Sequence, residues 1–187
     1  MKGVIFKHFE SFVTDTFGAD VYEDLLDRTE LTGDGAFVGP ETYPDADLFA
    51  LVGTAISSLQ IPLADALYAF GKYLFAKLAG QVPMFVDYDK GLKSFLLTIH
   101  SVIHVEVKKL FPGAETPHFA YEDPGDGHLV IEYTSARKLC PLFRGLIDGA
   151  AEAFGETISF EESQCMHDGA ASCRFEIAFA VPLEKAG

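Results

Sequence analysis

A tyrosine, a serine and an arginine alternate near the end of a predicted strand, and their types and spacing suit the binding of an anion. Tyr133, Ser135 and Arg137 stand at i, i+2 and i+4, so an extended backbone places two hydroxyls and one guanidinium on the same face. A guanidinium binds a carboxylate or a phosphate through paired hydrogen bonds, and hydroxyls can donate to the remaining lone pairs. The motif therefore predicts a clamp for a small acidic ligand. Taken alone, the same residues also fit a strand aromatic, a turn serine and a solvated arginine.

A histidine that could bind a metal lies upstream of this motif. His104 belongs to a predicted helical stretch that ends at Pro112 and Gly113. Imidazole is a suitable axial ligand for haem iron, but a lone helical histidine is more often a packed or surface residue. His100 lies one helical turn earlier, and two histidines at that spacing also fit a zinc pair. Because no His-Glu-x-x-His arrangement is present, a peptidase site is excluded and we expect His100 to be structural.

Together, His104 and the Tyr-x-Ser-x-Arg motif resemble the signature of haem nitric oxide/oxygen binding (H-NOX) domains, the family that includes the haem domain of soluble guanylate cyclase. The likeness extends over nearly the whole chain. It implies that His104 ligates the iron of haem b and that Pro117 packs against the porphyrin. It also implies that Tyr133, Ser135 and Arg137 hold the haem propionates.

The resemblance also predicts which gases bind. Members that bind oxygen stably carry a distal tyrosine five residues after the motif arginine, and Leu142 occupies that position here. Without a hydroxyl to stabilise the partly anionic bound oxygen, we expect poor binding of O2 and retained binding of NO and CO. Tyr73 is expected to face away from the haem. The residues expected near the distal face are all apolar: Ile5, Phe9, Leu74, Leu78 and Leu142.

By resemblance, the chain is a stand-alone nitric oxide sensor and not an enzyme. In such a sensor, NO weakens the bond between the ferrous iron and His104 and frees the helix that carries this histidine. The expected partner is a separate histidine kinase or a cyclic-di-GMP cyclase or phosphodiesterase. Two alternatives remain open: an O2-binding haem protein, and a haem-free small-molecule or interaction module in which the motif binds another anion.

Three cysteines form a second set of candidate ligands. Cys140, Cys165 and Cys173 come from a predicted helix start, a loop and the last predicted strand, and an odd number of cysteines argues against a disulfide framework. Some bacterial H-NOX proteins bind a structural zinc through three cysteines and a histidine at matching positions. This chain has Glu162 in place of that histidine, with His167 nearby. The resemblance thus suggests a Zn²⁺ site with an open choice of fourth ligand, and reduced thiols open to oxidation are the alternative.

Composition and charge limit the classes of protein to which this chain can belong. The chain has 187 residues, of which 49% are hydrophobic, and a net charge of −14, so we expect one domain over residues 1–187. The negative charge disfavours nucleic acid and anionic membranes as partners. No cationic segment followed by an apolar run marks a secretory signal. The longest uncharged run, residues 48–64, contains Pro62 and several polar residues, so we expect no membrane span and a cytoplasmic location.

Hydrophobic periodicity predicts the order of the elements. Apolar residues recur with the helical period in the first half, and alternation appears only from Pro117 onward. The fold class is therefore α+β: a helical N-terminal half and a C-terminal antiparallel sheet with helices. By resemblance, the haem is buried between the two halves. The predicted helices cover residues 5–17, 21–28, 45–59, 62–79, 88–111 (broken near 98–101) and 139–154, and the strands 118–122, 128–135, 157–162 and 173–181.

Overall fold

Helices form the first half of the chain, as the apolar periodicity predicts. The computed structural model describes residues 1–125 and 127–180. Gly18 separates the first two helices with φ of 105°, a backbone conformation that favours glycine. The first four helices are α1 (Gly3–Phe17), α2 (Ala19–Arg28), α3 (Asp45–Leu59) and α4 (Leu63–Gln81).

A tight turn joins α3 to α4. Gln60 ends α3 in the left-handed conformation, with φ of 54°, and Pro62 directly precedes α4 with the φ that helix entry needs. The two helices are bent by 113° relative to each other. They meet the length and hydropathy of a membrane span only when taken together, and within the described residues no single helix does so.

A π-helical turn interrupts the next helical stretch directly before His104. Helix α5 (Gly91–Thr98) leads into the π-helical turn Ile99–Ile103, and α6 (His104–Leu110) follows. The break predicted near residues 98–101 is confirmed. Such turns shift the register of the side chains that follow and often occur at functional sites. His104 thus begins the short helix that follows this turn.

The C-terminal half is a four-stranded antiparallel sheet with one helix packed on it. The strand order is β1-β2-β4-β3, and Tyr133 in β2 lies between Phe119 of β1 and Cys173 of β4. Asp126 of the predicted hairpin turn and Val181 of the last predicted strand lie outside the described residues. The elements are β1 (His118–Glu122), β2 (His128–Thr134), α7 (Cys140–Phe154), β3 (Ile158–Gln164) and β4 (Cys173–Phe179).

The hydrophobic core is divided into two clusters. One cluster contains residues of α1, α2, α3 and α4, and the other contains residues of α5, α7 and the sheet. Helix α4 contributes to both, since Leu74 belongs to the first cluster and Phe75 to the second. Leu142 and Leu146 of α7 pack against the first cluster from the opposite side. This α+β architecture agrees with the predicted fold class and places α4 and α7 at the boundary between its halves.

Glycines allow α4 and α7 to approach closely at this boundary. A Cβ atom at Gly145 would overlap the backbone carbonyl of Tyr68, and one at Gly71 would overlap the carbonyl of Leu142. Backbone atoms cannot move aside as the end of a flexible side chain can. The crossing of these helices therefore depends on residues without a side chain.

We predict that Gly145→Ala lowers the free energy of unfolding by about 1–3 kcal/mol, because the added methyl group forces α4 and α7 apart. Gly80→Ala is the matched control: this glycine is in α4 with no atom within 4 Å of an added Cβ. The control should raise the free energy of unfolding by about 0.5–1 kcal/mol through helix propensity. Urea unfolding followed by circular dichroism measures both. Equal stability of Gly145→Ala and the wild type would contradict the packing argument.

Candidate functional site

Two adjoining cavities lie between the helical half and the sheet half. The outer cavity has a volume of about 490 Å³ and the inner cavity about 300 Å³. Both walls include Ile5, Leu78, His104 and Arg137, so the cavities share part of their lining. Both volumes are in the range of small-molecule sites. The inner wall is mainly aliphatic and aromatic, which suits a large apolar ligand.

His104 faces this space from the start of α6. Its ring stacks on Phe119 with centroids 5.4 Å apart and an interplanar angle of 28°. The Nδ1 atom is buried and has no hydrogen-bond partner among the described residues. Burial lowers the pKa of His104 to about 4, so its imidazole is neutral at physiological pH and keeps a lone pair. A neutral imidazole can act as a metal ligand.

Tyr133 and Ser135 line the inner cavity, as the alternating motif predicts. The Tyr133 hydroxyl accepts a hydrogen bond from the backbone nitrogen of Leu139 at 3.2 Å. The Ser135 hydroxyl accepts one from the backbone nitrogen of Arg137, also at 3.2 Å. Each hydroxyl is fixed as an acceptor and keeps its own hydrogen to donate. These two residues can therefore still donate to an anion.

Arg137 departs from the predicted free clamp because two carboxylates already hold it. Its Nε lies 2.5 Å from Oδ2 of Asp45, and its Nη2 lies 2.8 Å from Oε2 of Glu115. Both acids line the outer cavity with Arg137. The guanidinium is therefore oriented before any ligand binds. Sequence reasoning missed Asp45 and Glu115, because the only local signal was an acidic residue in the first turn of α3.

The apolar residues predicted to line the distal side lie in the inner wall, with one exception. Phe9 lines neither the inner nor the outer cavity. It is one helical turn beyond Ile5 and packs edge-on against Phe70, with centroids 5.8 Å apart. Tyr73 faces away, since its hydroxyl donates to Asp15 at 2.6 Å. The predicted residues that do line the inner cavity are Ile5, Leu74, Leu78, Pro117 and Leu142.

Gln81 is a polar residue of the outer wall that the sequence reasoning overlooked. Its side-chain nitrogen lies 3.2 Å from Nε2 of the buried His8. Burial lowers the pKa of His8, so the imidazole is neutral and can accept from the amide. Position 81 follows Leu74 and Leu78 on the same face of α4, which was the available signal. The outer rim therefore contains an oriented amide, whereas the inner wall beside Leu142 is apolar.

The three cysteines and Glu162 converge at a second site. One ligand atom from each of Cys140, Glu162, Cys165 and Cys173 lies within 4.8 Å of all the others. The Sγ atom of Cys165 lies 3.9 Å from that of Cys140 and 3.8 Å from that of Cys173, whereas the Sγ atoms of Cys140 and Cys173 are 3.0 Å apart. Tetrahedral zinc with Zn–S bonds near 2.3 Å separates its sulfurs by about 3.8 Å. Both separations from Cys165 match such a site, whereas the Cys140–Cys173 separation is shorter than a bound zinc would require.

The structure distinguishes the two candidates for the fourth ligand at this site. The Oε1 atom of Glu162 is buried and lacks a hydrogen-bond partner among the described residues. His167 is exposed, and its Nε2 lies 2.8 Å from the carbonyl oxygen of Lys138. Burial raises the pKa of the Cys140 thiol to about 11 and that of Cys173 further still. Of the two candidates, Glu162 is therefore the one with a buried, unpartnered oxygen beside the three thiols.

The chain matches one protein family and is similar to a curated relative. The Haem-NO-binding (HNOB) family model matches residues 2–162 of the chain, which include His104 and the Tyr-x-Ser-x-Arg motif but not Cys165 or Cys173. The chain is 25% identical over 169 residues to the soluble guanylate cyclase gcy-35 of Caenorhabditis elegans. That match covers 84% of this chain but only 23% of the relative.

Two solved structures are similar over almost their entire length. An H-NOX protein from Shewanella oneidensis, in the Fe(II)NO ligation state, is 33% identical with a TM-score of 0.90, and the match covers 97% of this chain and 100% of that chain. An H-NOX protein from K. algicida, in the Fe(II) unliganded state, is 26% identical with a TM-score of 0.85, and the match covers 98% of each chain. The whole arrangement of helices and sheet is therefore shared with these proteins.

The ion pair of Asp45 gives a pH-dependent prediction. Burial alone would raise the pKa of Asp45, but the Arg137 guanidinium and the amino group of Met1 outweigh it and lower that pKa below its ordinary value. Because the folded-state pKa is lowered, the carboxylate stabilises the fold above its unfolded pKa, near 3.9, and loses this effect as the pH falls through the folded value.

We therefore expect Asp45→Asn to lower the free energy of unfolding by about 1 kcal/mol at pH 7, with a smaller difference at pH 3. Asp24→Asn is the control, since Asp24 forms an exposed i,i+4 pair with Arg28 and should contribute at most about 0.5 kcal/mol. Urea unfolding of matched preparations at both pH values tests this. A loss of stability for Asp45→Asn that is equal at both pH values would contradict the ionic explanation.

Proposed function

The chain belongs to the Haem-NO-binding family of haem-binding gas sensors, and we propose that it senses nitric oxide through ferrous haem b held by His104. The observation that supports this most directly is that His104, Tyr133, Ser135 and Arg137 all line the same apolar cavity. These residues come from α6, from β2 and from the turn before α7. Only the folded chain brings an imidazole and an anion clamp into the wall of one pocket.

The residues of the cavity fit a haem in three respects. Haem is a flat apolar disc with two carboxylates at one edge, and its iron supplies a site for diatomic gases. The buried, neutral imidazole of His104 offers the axial ligand, and Pro117 lies in the same wall. The hydroxyls of Tyr133 and Ser135 lie in the same wall as Arg137, where propionates would be bound. The opposite wall consists of aliphatic side chains: Ile5, Leu74, Leu78 and Leu142.

Arg137 would take part in propionate binding while remaining paired with Asp45. A guanidinium has five N–H donors. In the structure these contact Asp45, the Glu115 carboxylate and the Glu115 carbonyl oxygen. Glu115 is exposed, so its contact is the more readily exchanged for a propionate. Asp45 would then fix the orientation of the guanidinium.

We also propose that the site discriminates against oxygen. Leu142 is in the inner wall, and the Tyr73 hydroxyl is turned away towards Asp15. Stable O2 complexes need a hydrogen-bond donor near the bound gas, whereas NO and CO do not. The amide of Gln81 lines the outer cavity and not the inner cavity that Leu142 lines. An O2-binding role is the alternative, and it would require a donor to reach that inner wall.

The segment around His104 is suited to carry a conformational signal. Val102, Val105 and Leu110 are 41%, 44% and 60% exposed, so this segment is only partly packed on the rest of the fold. The π-helical turn before His104 gives it a boundary with α5. We propose that a change at His104 shifts this segment and thereby regulates a separate protein. A histidine kinase or a cyclic-di-GMP cyclase or phosphodiesterase remains the proposed partner.

Zinc binding is a second proposal, on the cysteine cluster. Three thiols and the unpartnered Oε1 of Glu162 converge on one point, and a dication there would satisfy the orphaned oxygen and hold the thiols as thiolates. Such an ion would connect the start of α7 to β3 and β4. The absence of a catalytic role, the single domain and the cytoplasmic location stay predictions.

Replacing the proposed iron ligand tests the function most simply. His104→Ala should yield haem-poor protein, or protein whose haem needs added imidazole for its five-coordinate ferrous spectrum, because the axial ligand is lost. His100→Ala is the control from the same helical stretch; His100 does not line the inner cavity. Soret absorbance per protein, with and without imidazole, is the measurement. A normal ferrous spectrum in His104→Ala would remove His104 from the proposal.

Adding a hydroxyl to the distal wall tests oxygen discrimination. Leu142→Tyr should increase O2 affinity by about tenfold or more, since a hydrogen bond to a partly charged acceptor contributes roughly 1.5–3 kcal/mol. Leu142→Phe adds the same ring without the hydroxyl and should show no such gain. Spectra of the reduced proteins in air measure the oxygen complex. If both variants behave as the wild type does, residue 142 does not face the bound gas.

The zinc proposal is tested by removing its carboxylate. Glu162→Gln should lower zinc retention during dialysis against a chelator, because a neutral amide is a weaker ligand than a carboxylate. Glu161→Gln is the control, since Glu161 is exposed and lies outside the cluster. Metal content by mass spectrometry gives the result. Equimolar zinc in both variants would exclude Glu162 as a ligand, and no zinc in the wild type would end the proposal.

A further inference from the structure

The turn of residues 135–139, which we call the motif turn, contains a residue with an unusual backbone conformation. Lys138 is left-handed, with φ of 48°, and Gln60 is the only other non-glycine residue with a positive φ in the described part of the chain. In this conformation the Cβ atom crowds the following carbonyl group, so residues other than glycine adopt it only where neighbouring contacts hold them. The contacts of Lys138 therefore set the direction in which the chain leaves Arg137.

Hydrogen bonds from the Tyr-x-Ser-x-Arg motif hold one side of the motif turn. The backbone nitrogen of Lys138 donates to the carbonyl oxygen of Ser135 at 3.1 Å. The backbone nitrogens of Arg137 and Leu139 donate to the hydroxyls of Ser135 and Tyr133, each at 3.2 Å. The motif thus binds three backbone N–H groups of the turn. These bonds leave the Lys138 carbonyl group to other partners.

A second turn binds the Lys138 carbonyl group. This partner is the short 3-10 turn Met166–Asp168 between β3 and β4. Nε2 of His167 lies 2.8 Å from the Lys138 oxygen, and the Lys138 ammonium donates in the opposite direction to the carbonyl oxygen of Met166 at 3.2 Å. Because a carbonyl oxygen can only accept, His167 must carry a hydrogen on Nε2. That nitrogen therefore has no lone pair for a metal ion while this contact exists.

The 166–168 turn is itself attached to the sheet. The backbone nitrogen of Met166 lies 3.2 Å from Sγ of Cys173, a fully buried residue of β4. The backbone nitrogen of Asp168 donates to the carbonyl oxygen of Cys165 at 3.1 Å. The turn is therefore held both by its own backbone and by β4. It can act as a fixed partner that orients the motif turn.

We propose that His167 is a positioning residue for the haem propionate clamp. It does not contact the ligand; it holds the Lys138 carbonyl group and so keeps the Ser135 hydroxyl and the Arg137 guanidinium in the orientation that receives a carboxylate. Loss of this contact lets Lys138 relax out of the left-handed conformation, and the donors of the clamp then spread over more orientations. The inference rests on the proposed haem function, and it assigns His167 a role other than zinc binding.

Haem transfer to excess apomyoglobin measures how firmly the clamp holds the ligand. His167→Ala should speed haem dissociation about threefold, which corresponds to the lower range of a single hydrogen bond. His167→Gln should restore most of the wild-type rate, since the amide nitrogen of glutamine reaches about as far as Nε2 of histidine and also donates. His128→Ala is the matched control, because His128 is an exposed histidine of β2. A wild-type rate in His167→Ala would overturn the proposal, as would a rate in His167→Gln as fast as that in His167→Ala.

Esterified haem separates positioning of the clamp from a general loss of stability. Haem dimethyl ester has no propionate charge, so His167→Ala and the wild type should release it at the same rate. An equally accelerated release of this ester would assign His167 to overall stability and overturn the proposal. Zinc content by mass spectrometry should be equal in His167→Ala and the wild type. Zinc lost from both His167→Ala and His167→Gln would make His167 a zinc ligand instead, which would also overturn it.

Backbone hydrogen exchange distinguishes a failure of this proposal from a failure of the haem function. The backbone N–H of Leu139 should exchange severalfold faster in His167→Ala than in the wild type, whereas His128→Ala should leave it unchanged. If the wild type takes up no haem, the haem function is rejected, and faster exchange would still support the contact of His167 with the motif turn. Wild-type protein that binds haem, together with unaltered exchange in His167→Ala, would overturn the positioning role alone.

Discussion

The structure depends on the packing of two hydrophobic clusters. Both include residues of α4, but their packing leaves a space between them. Glycines such as Gly145 allow the backbones of α4 and α7 to contact each other. This contact sets the boundary between the clusters. Beyond that contact the clusters separate, and the inner and outer cavities occupy the gap. His104 lines this gap, and burial keeps its imidazole neutral. A neutral imidazole in the wall of a large apolar cavity is suited to ligate a metal ion held there.

Charged side chains lie at one edge of this cavity and make that edge different from the apolar interior. The chain carries a net charge of −14, yet a guanidinium from Arg137 stands at the cavity rim and is held there by Asp45 and Glu115. Such pairing orients the guanidinium in advance, so little side-chain entropy is lost when an anion binds. The cavity is therefore apolar in its interior and polar at one edge, where a haem propionate that replaced the exposed Glu115 carboxylate would meet the guanidinium. The family membership of the chain and the polarity of this cavity both indicate haem as the ligand.

Local patterns predicted much of this, and long-range contacts account for what they missed. The helices, the break before His104 and the strands follow from periodicity and from turn residues, which act within a few positions. The Tyr-x-Ser-x-Arg motif could be read because alternation along one strand sets a common face. The pairing of Arg137 with Asp45 joins residues 92 positions apart, and that of His8 with Gln81 spans 73, so neither leaves a local signal. The helical period predicts which side of α1 faces the pocket but not how far along α1 the pocket extends, so it does not show that Phe9 lies beyond the pocket wall.

The central claim is that His104 and the cavity it faces bind a ferrous haem that responds to nitric oxide and not to oxygen. The most direct measurement is the absorption spectrum of the reduced protein, recorded anaerobically, then with nitric oxide, and separately in air. The account predicts a five-coordinate ferrous spectrum that shifts with nitric oxide and shows no stable oxygen complex. A stable oxygen complex would contradict the assignment of the distal wall around Leu142. Protein that acquires no Soret band after haem is supplied would contradict the claim as a whole.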